Sequence, residues 1–246
     1  IVNLTTGALN GTHTTEGGYD YYRNTAKTIR INRDKNEIYM QLDTKNTEEP
    51  KNGSMWPHAL IEKTFTYTPK FKDLKSLTGS VTFCIEDFYD YGSASGGQAA
   101  QMSWWFFFSS PYTTVVDGKE KALGCFFGFP FFDCRPDVYG ISPSEKADYV
   151  GWEANTRDGI VKMARSRFDA TIANNTNVGT HYTVSFDLKE HFPAALSLLS
   201  NKYSDFSGKT LDEFFLTGFN LGWEMPNGTY RSGVSFKDIS LVAELI

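Results

Sequence analysis

Residues 101–110 read QMSWWFFFSS, and the centre of this stretch, residues 104–108, is the longest apolar run in the chain. Successive side chains of a β-strand point to opposite faces. One face carries Met102, Trp104, Phe106 and Phe108, and the other carries Ser103, Trp105, Phe107 and Ser109. Apolar residues on both faces are typical of a central strand that is covered on both sides. The serines predict that the second face is less buried, so that Trp105 and Phe107 could line an aromatic groove.

The segments before and after this stretch alternate between apolar and polar residues. Residues 27–32 and 37–43 do so on either side of the polar turn at residues 33–36, which predicts a β-hairpin. Residues 80–87 and 181–188 repeat the alternation. Short alternating segments separated by turns are typical of antiparallel sandwiches. We therefore predict an all-β fold, an antiparallel β-sandwich of about a dozen strands with jelly-roll-like topology.

Two segments in the second half of the chain are longer. Residues 160–173 read as one long strand, whereas residues 189–203 carry apolar residues at helical spacing and predict one short helix. Asp187 is the predicted N-cap of that helix. Neither a proline- or serine-rich linker nor an internal repeat divides the sequence, so we predict a single β-sandwich domain over residues 1–246.

The charge and hydropathy of the chain exclude several classes of partner. The net charge of −5 argues against nucleic acid, whose binding relies on Lys and Arg at the phosphates. No apolar run approaches the ~20 residues of a membrane helix, so we predict no membrane insertion. No signal peptide is visible, which indicates a trimmed mature chain or a piece of a larger protein. A secreted or cell-surface location is supported by the Asn-x-Ser/Thr sequons at Asn3, Asn10, Asn52, Asn174 and Asn227.

The cysteines and histidines give no sign of a metal centre. They do not fall at zinc-binding spacings, and we predict no cofactor. Cys125 and Cys134 bracket FFGFPFFD and could close a disulfide-bridged hairpin, which would leave Cys84 unpaired. Residues 86–92 and 133–137 are rich in carboxylates and could hold a structural calcium ion, which takes several oxygen ligands.

The tripeptide Gly-Trp-Glu occurs twice, ending at Glu153 and at Glu224. Two glutamates could be the paired carboxylates of a glycosidase, whose separation decides the stereochemistry. Alternation puts Trp152 and Trp223 on the core face and both glutamates on the opposite face. The predicted core face of the second strand carries Phe215, Phe219, Leu221, Trp223 and Met225. Glu153 and Glu224 are thus candidate catalytic residues, but glutamates on a strand surface more often pair with arginine or accept hydrogen bonds, so no catalytic pair is assigned.

Further polar residues could bind a sugar. Asp133 and Arg135 alternate just beyond an aromatic segment, and an arginine fork with a carboxylate can hydrogen-bond a diol or a uronate. The same pair could simply stiffen its loop. Arg165 and Arg167 share a face of the strand predicted at residues 160–173, where they could meet an acidic polysaccharide or balance acidic neighbours. The predicted ligand-binding residues are Trp105, Phe107, Asp133, Arg135, Arg165, Arg167, Asn220 and Glu224.

Three segments carry a resemblance to known proteins. The closing segment GVSFKDISLVAEL, the aromatic SWWFFFSS and the stretch GFNLGWEMPNG resemble jelly-roll carbohydrate-binding modules and the related β-sandwich enzymes that degrade polysaccharides. The resemblance is one of architecture, extends over most of the chain and matches no specific family. The strand patterns of laminarinase-like enzymes (Glu-x-Asp-x-x-Glu), of sandwich xylanases and of alginate lyases (Arg-x-Glu-x-Arg) are absent. These absences favour a role without catalysis.

We therefore predict a secreted or cell-surface carbohydrate-binding domain that recognises a polysaccharide or oligosaccharide through a groove and is not an enzyme. The alternative is a polysaccharide-cleaving glycoside hydrolase or lyase on the same jelly-roll scaffold. In a hydrolase, Glu153 and Glu224 would be the acid and the nucleophile or base, whereas a lyase would pair His181 or a tyrosine with Arg165 or Arg167. A third alternative is an adhesion domain whose aromatic surface binds protein.

Overall fold

The computed structural model describes residues 11–47, 56–66, 68–92, 99–135, 148–153, 156–172, 176–226 and 228–246. The strands form two sheets. The seven-stranded sheet contains, in spatial order, β1 (Thr12–Glu16), β2 (Tyr19–Arg23), β3 (Lys27–Asn32), β4 (Glu37–Asp43), β13 (Tyr230–Leu245), β6 (Leu74–Asp90) and β11 (His181–Asp187). The six-stranded sheet contains β5 (His58–Thr64), β12 (Phe215–Glu224), β7 (Gln101–Val116), β8 (Lys119–Asp133), β10 (Gly159–Lys162) and β9 (Tyr149–Trp152). The predicted all-β, jelly-roll-like sandwich is confirmed.

The two sheets enclose an aromatic core, and β7 contributes to it as predicted. Trp104 and Phe106 are fully buried, whereas Trp105 and Phe107 are only partly buried on the opposite face of the same strand. Across the sandwich, the ring of Phe129 in β8 stacks on that of Phe186 in β11 with 3.9 Å between the centroids. The alternation of residues 101–110 therefore identified which face of this strand packs against the other sheet.

The predicted long strand at residues 160–173 is wrong. β10 ends at Lys162, and the chain continues into a short helix, α1 (Arg165–Phe168), and a 3-10 turn (Ala170–Ile172). The consecutive residues Met163, Ala164 and Arg165 are all buried, which a strand with one solvent face does not allow. The chain turns into the interior at this point, so the sequence alternation beyond Lys162 has no structural meaning.

The predicted hairpin and helix are both confirmed. β3 and β4 pair across the turn at residues 33–36. The helix α2 (Leu188–Lys202) begins at Asp187, whose carboxylate accepts a hydrogen bond from the backbone N–H of Lys189 at 2.9 Å. The apolar face of α2 packs on the core, where Phe192 stacks on Phe108 of β7 at 4.3 Å between centroids. The helix thus continues the core along the sheet that carries the site described below.

The strand β12 departs from strict alternation at one point. Its register against β7 shifts between Leu216 and Gly218, which makes Thr217 the extra residue of a β-bulge. Trp223 lies in the core as predicted, but before the bulge the buried residue is Leu216 and not Phe215. The core position predicted for Phe215 is wrong because one extra residue inverts the alternation on one side of a bulge.

The disulfide that the sequence left open is absent, because Cys125 and Cys134 are both free thiols. Cys125 lies within the continuous strand β8 and Cys134 directly follows the end of that strand. An extended chain rises ~3.3 Å per residue, so roughly 30 Å separates the two cysteines. The segment between them is a strand and not a hairpin. All five sequon asparagines lie outside the described residues.

Candidate functional site

Glu224 ends β12 on the side of the six-stranded sheet opposite the core, which we call the Glu224 face. Its ladder partners are His58 of β5 and Gln101 of β7. Burial raises the pKa of the Glu224 carboxyl above its ordinary value, and charge interactions with His58 and Lys162 offset only part of this effect. A carboxyl whose pKa is raised stays protonated to higher pH and can therefore act as a proton donor.

Trp105 positions the Glu224 carboxyl. The indole N–H of Trp105 donates a hydrogen bond to the carboxylate. The indole lies over Gly128 of β8, where a Cβ atom would come within 2.4 Å of the ring. Any residue with a side chain at position 128 would displace the indole, so the glycine is needed for this contact. On its other side, Trp105 has Asn220 as its ladder partner.

A cluster of buried charges lies beside Glu224. The Lys162 Nζ atom is 3.3 Å from Gln101 Oε1 and 3.6 Å from Asp133 Oδ2. Arg135 donates a hydrogen bond from Nε to Asp133 Oδ1 at 2.9 Å, so the predicted Asp133–Arg135 pair is present. The pair holds Lys162 near the site, and the ammonium group of Lys162 in turn favours the ionised form of the Glu224 carboxyl.

The remainder of the Glu224 face combines aromatic rings with polar atoms that lack partners. Phe107 makes an edge contact with Phe126 of β8 at 5.1 Å between centroids. Tyr149 of β9 is 43% exposed and is the ladder partner of Lys162. Among the described residues, the buried atoms Asn220 Oδ1 and Ser103 Oγ have no hydrogen-bond partner. The rings offer apolar contact to a ligand, and its hydroxyl groups can reach the two buried atoms once the Asn220 or Ser103 side chain moves.

The structure does not bring Glu153 and Glu224 together. Glu153 directly follows β9 at the edge of the sheet, and β10, β8 and β7 lie between β9 and β12. At ~4.8 Å per strand, four steps amount to roughly 19 Å. The two glutamates also lie at different positions along the strands, which increases this distance. Trp152, the residue before Glu153, is level with Cys125 of β8, whereas Glu224 is level with Asp133 at the end of β8. Glycosidase carboxyl pairs are only ~5–9.5 Å apart, so these two glutamates are not such a pair.

The basic patch predicted from Arg165 and Arg167 is wrong. Both residues lie in α1 and not on a strand. Arg165 is fully buried and donates a hydrogen bond from Nη1 to the Phe131 carbonyl oxygen at 3.5 Å, whereas Arg167 is exposed and pairs with Asp148 at 3.1 Å. Because a single turn of helix points neighbouring side chains in different directions, the two arginines do not share a surface.

Several residues of the site were not predicted to belong to it, among them Gln101, Lys162 and His58. Alternation alone puts Gln101 on the same face as Trp105, so this residue could have been identified from the sequence. Lys162 and His58 could not, because their positions depend on which strands are neighbours. The register that places Lys162 level with Gly128, and His58 level with Glu224, is decided by the packing of the sheet.

No group of three or more His, Cys, Asp or Glu side chains among the described residues could hold a metal ion. Residues 86–90, which belong to one of the two calcium candidates, lie in the strand β6 and not in a turn. In the other candidate, Asp133 is hydrogen-bonded to Arg135, and Asp137 lies outside the described residues. A calcium ion therefore stays a prediction from sequence. None of the helices in the described ranges is long and apolar enough to cross a membrane.

Comparisons with known proteins identify the class of fold. No family model matches the chain, and neither does any curated protein. Among solved structures, a family 12 xyloglucanase from Bacillus licheniformis matches with a TM-score of 0.53 at 9% identity, covering 96% of this chain and 97% of the other. A thermostable cellulase derived from the Cel12A cellulase of Rhodothermus marinus matches with a TM-score of 0.51 at 16% identity, covering 93% of each chain. Endoglucanase Cel12A from Rhodothermus marinus matches with a TM-score of 0.50 at 14% identity, covering 94% of this chain and 93% of the other.

The protein thus has the β-sandwich fold of these polysaccharide-degrading enzymes, and the architectural resemblance seen in the sequence is confirmed. The prediction of a non-catalytic binding domain is contradicted, because the solved structures that match are glycoside hydrolases. The alternative prediction, a polysaccharide-cleaving enzyme on this scaffold, is the one that the comparison favours.

Proposed function

We propose that the protein is a glycoside hydrolase that cleaves a polysaccharide lying across the Glu224 face, with Glu224 as the proton donor. The observation that carries this proposal is the carboxyl of Glu224, whose pKa is raised by burial and which is positioned by the indole of Trp105. The exposed Tyr149 and the partly buried Trp105 and Phe107 supply apolar surface for sugar rings on the same face. Cellulases and a xyloglucanase share the fold, which makes β-1,4-glucans the first substrates to test.

In the proposed reaction, Glu224 donates its proton to the glycosidic oxygen as the bond to the anomeric carbon breaks. Water adds to the anomeric carbon, and the proton that it releases restores the acid form of the site. The indole of Trp105 keeps the carboxyl directed at the leaving oxygen. General acid catalysis of this kind contributes typically 10²–10⁴-fold to the rate.

Two carboxylates near Glu224 are candidates for the second carboxylate of the reaction. Glu62 of β5 lies close enough for its charge to raise the pKa of Glu224. Asp133 of β8 is level with Glu224, two strands away, and is bound by Arg135 and Lys162. Carboxyl pairs of retaining enzymes are ~5–5.5 Å apart and those of inverting enzymes ~6.5–9.5 Å, so the anomer formed first identifies the geometry of the pair.

Release of reducing ends from soluble polysaccharides tests the proposal. The protein is incubated with xyloglucan, hydroxyethyl cellulose and, as an anionic comparison, polygalacturonate. Release from a neutral glucan is the expected result, and NMR of the anomer formed first distinguishes retention from inversion. Binding of these polymers without any release of reducing ends would contradict the proposal. Because the substrates are extracellular polymers, we also propose a secreted or cell-surface location.

The pH dependence of hydrolysis follows from the raised pKa of Glu224. The acid form is lost as pH rises through this pKa, so the alkaline limb of the kcat/KM profile is expected above the ordinary glutamic acid value of 4.5. Trp105→Phe removes a hydrogen bond that favours the ionised carboxylate. The pKa then rises further, and the limb is expected to move to higher pH.

A matched change at Trp152 is the control for that shift. Trp152 packs against Tyr203 at 4.7 Å between centroids, on the core side of the sheet and away from Glu224. Trp152→Phe is therefore expected to leave the alkaline limb in place. If Trp105→Phe leaves the limb unmoved or lowers it, the hydrogen bond to Glu224 does not have the proposed effect.

A further inference from the structure

The seven-stranded sheet has a polar and aromatic area on its outer side, opposite the core, which we call the Tyr39 patch. It is defined by Arg30, Tyr39, Asp87, Tyr89 and Arg231. Arg30 and Tyr39 are ladder partners on β3 and β4, and Arg231 and Tyr89 are ladder partners on β13 and β6. The patch therefore lies across four adjacent strands of one sheet. It does not include any residue of the Glu224 face, which belongs to the other sheet.

Three polar atoms of the patch are buried without a partner. Among the described residues, Arg30 Nε, Asp87 Oδ1 and Arg231 Nε have no hydrogen-bond partner. Buried polar groups in folded proteins are nearly always hydrogen-bonded, so three exceptions on one surface require an explanation. Two of these atoms are donors and one is an acceptor, and the side chains that carry them are partly exposed. A hydroxyl of a sugar, which both donates and accepts, reaches them once these side chains turn outward.

The charges of the patch are balanced within the patch and its immediate neighbours. An Arg30 guanidinium nitrogen, Nη2, lies 3.3 Å from Glu86 and 3.8 Å from Glu37, and Arg231 Nε lies 3.9 Å from Asp87 Oδ2. Each arginine therefore has a carboxylate beside it. A polyanion would have to displace these carboxylates to reach the arginines. A neutral ligand can instead hydrogen-bond to the exposed atoms of the ion pairs and leave the pairs intact. The balance favours a neutral ligand.

Tyr39 adds a donor at the centre of the patch. Its ring lies over Gly233 of β13, where a Cβ atom would come within 2.3 Å of the phenolic oxygen. Burial, followed by the charge of Asp87, raises the pKa of the Tyr39 phenol to about 12, so the hydroxyl keeps its proton at any working pH. The guanidinium of Arg30 lies over the same ring, with Cζ 4.5 Å from the ring centroid. This cation–π contact restricts the orientation of the Arg30 side chain.

Tyr89 supplies an aromatic surface at the edge of the patch. The side chain is 53% exposed, and its ring contacts that of Tyr91 edge-on at 4.8 Å between centroids. An exposed aromatic ring is an apolar surface beside the donors and acceptors of Arg231 and Asp87. The C–H face of a sugar ring can pack on such a surface while its hydroxyls reach the polar atoms. This combination of one aromatic ring with arginine and carboxylate groups is suited to a sugar.

We propose that the Tyr39 patch is a second binding site for a neutral polysaccharide such as a β-glucan, separate from the Glu224 face. The site holds the polymer on the outer side of the seven-stranded sheet and takes no part in bond cleavage. It goes beyond the hydrolase proposal, because none of its contacts depends on the chemistry of Glu224. Binding at this patch is therefore testable whether or not the protein releases products.

Affinity electrophoresis with the Glu224→Gln protein tests the patch without interference from cleavage. The gels contain hydroxyethyl cellulose or xyloglucan, with polygalacturonate as the anionic comparison. Adding Tyr89→Ala and Arg231→Met together is expected to raise the apparent Kd for the neutral polymers about 10-fold, since aromatic and arginine residues carry much of the energy of such contacts. Arg157→Met is the matched control, because Arg157 is 45% exposed in its side chain and lies outside both sites.

The outcomes separate this proposal from the hydrolase proposal. A loss of retardation in the patch variant, with the Arg157→Met protein unchanged, supports the patch even if no product release is ever found. Unchanged retardation in the patch variant, or retardation by polygalacturonate alone, would overturn it. Circular dichroism checks the fold of each variant, and Tyr89→Ala alone decides the question if the double change unfolds the protein, because Tyr89 is exposed.

Discussion

Glu224→Gln is expected to lower kcat for hydrolysis of a β-glucan by about 10²–10⁴-fold. The amide has nearly the same size as the carboxyl but cannot donate a proton to the leaving oxygen. Because Trp105 and the backbone around position 224 are unchanged, substrate binding is expected to change much less than turnover. The measurement is the separate determination of kcat and KM from initial rates of reducing-end release, at a pH where the unmodified protein is most active.

Glu153→Gln is the matched control for this prediction. It makes the same chemical change at a glutamate that also follows a tryptophan but that lies at the opposite edge and end of the sheet. This variant is expected to keep the activity of the unmodified protein. If the Glu224→Gln protein retained full activity, or if both variants lost activity equally, Glu224 would not be the proton donor.

Trp223→Ala is expected to lower the free energy of unfolding by about 3–5 kcal/mol. Trp223 is fully buried and makes an edge contact with Phe132 at 5.6 Å between ring centroids. Removing the indole leaves a large cavity between the two sheets, and the close packing of the core can fill it only in part. Urea unfolding at equilibrium, followed by circular dichroism, measures the loss.

Trp56→Ala provides the comparison for Trp223. Trp56 is 38% exposed, and truncating a partly exposed side chain outside the core usually changes stability much less, by about 0.5 kcal/mol. Trp223→Phe is also expected to cost less than Trp223→Ala, since it keeps most of the ring volume and Trp223 Nε1 has no hydrogen-bond partner among the described residues. Equal losses for Trp223→Ala and Trp56→Ala would show that Trp223 is not a core residue.

The contrast between Trp223 and Trp105 shows how far the sequence predicts the site. Alternation correctly assigned Trp223 to the core and Trp105 and Glu224 to the other face, because successive side chains of a pleated strand point to opposite faces. Alternation failed at Phe215, where a bulge inverts it, and beyond Lys162, where the chain leaves the sheet. Neither the bulge nor the end of the strand has a clear signal in the local sequence, because both are determined by contacts with residues that are distant in the chain.

The pairing of two Gly-Trp-Glu segments illustrates the limit of local patterns. Identical triplets gave the same side-chain pattern, a tryptophan packed on the core followed by a glutamate, at β9 and at β12. They did not give proximity, because β10, β8 and β7 lie between the two strands. The residues that do lie near Glu224, among them Lys162 and Asp133, come from strands that are separated from it in sequence by dozens of positions.

The sequence by itself determined the all-β class, the faces of the central strands, the helix with its cap at Asp187 and the core position of Trp223. These features follow from local rules, namely the period of a strand or helix and the chemistry of a capping carboxylate. Only the tertiary structure decided which strands are neighbours, and hence that Trp105, Lys162 and Gln101 surround Glu224 while Glu153 does not. The order and register of strands result from the packing of whole sheets on a shared core, and that packing is a property of residues far apart in the chain.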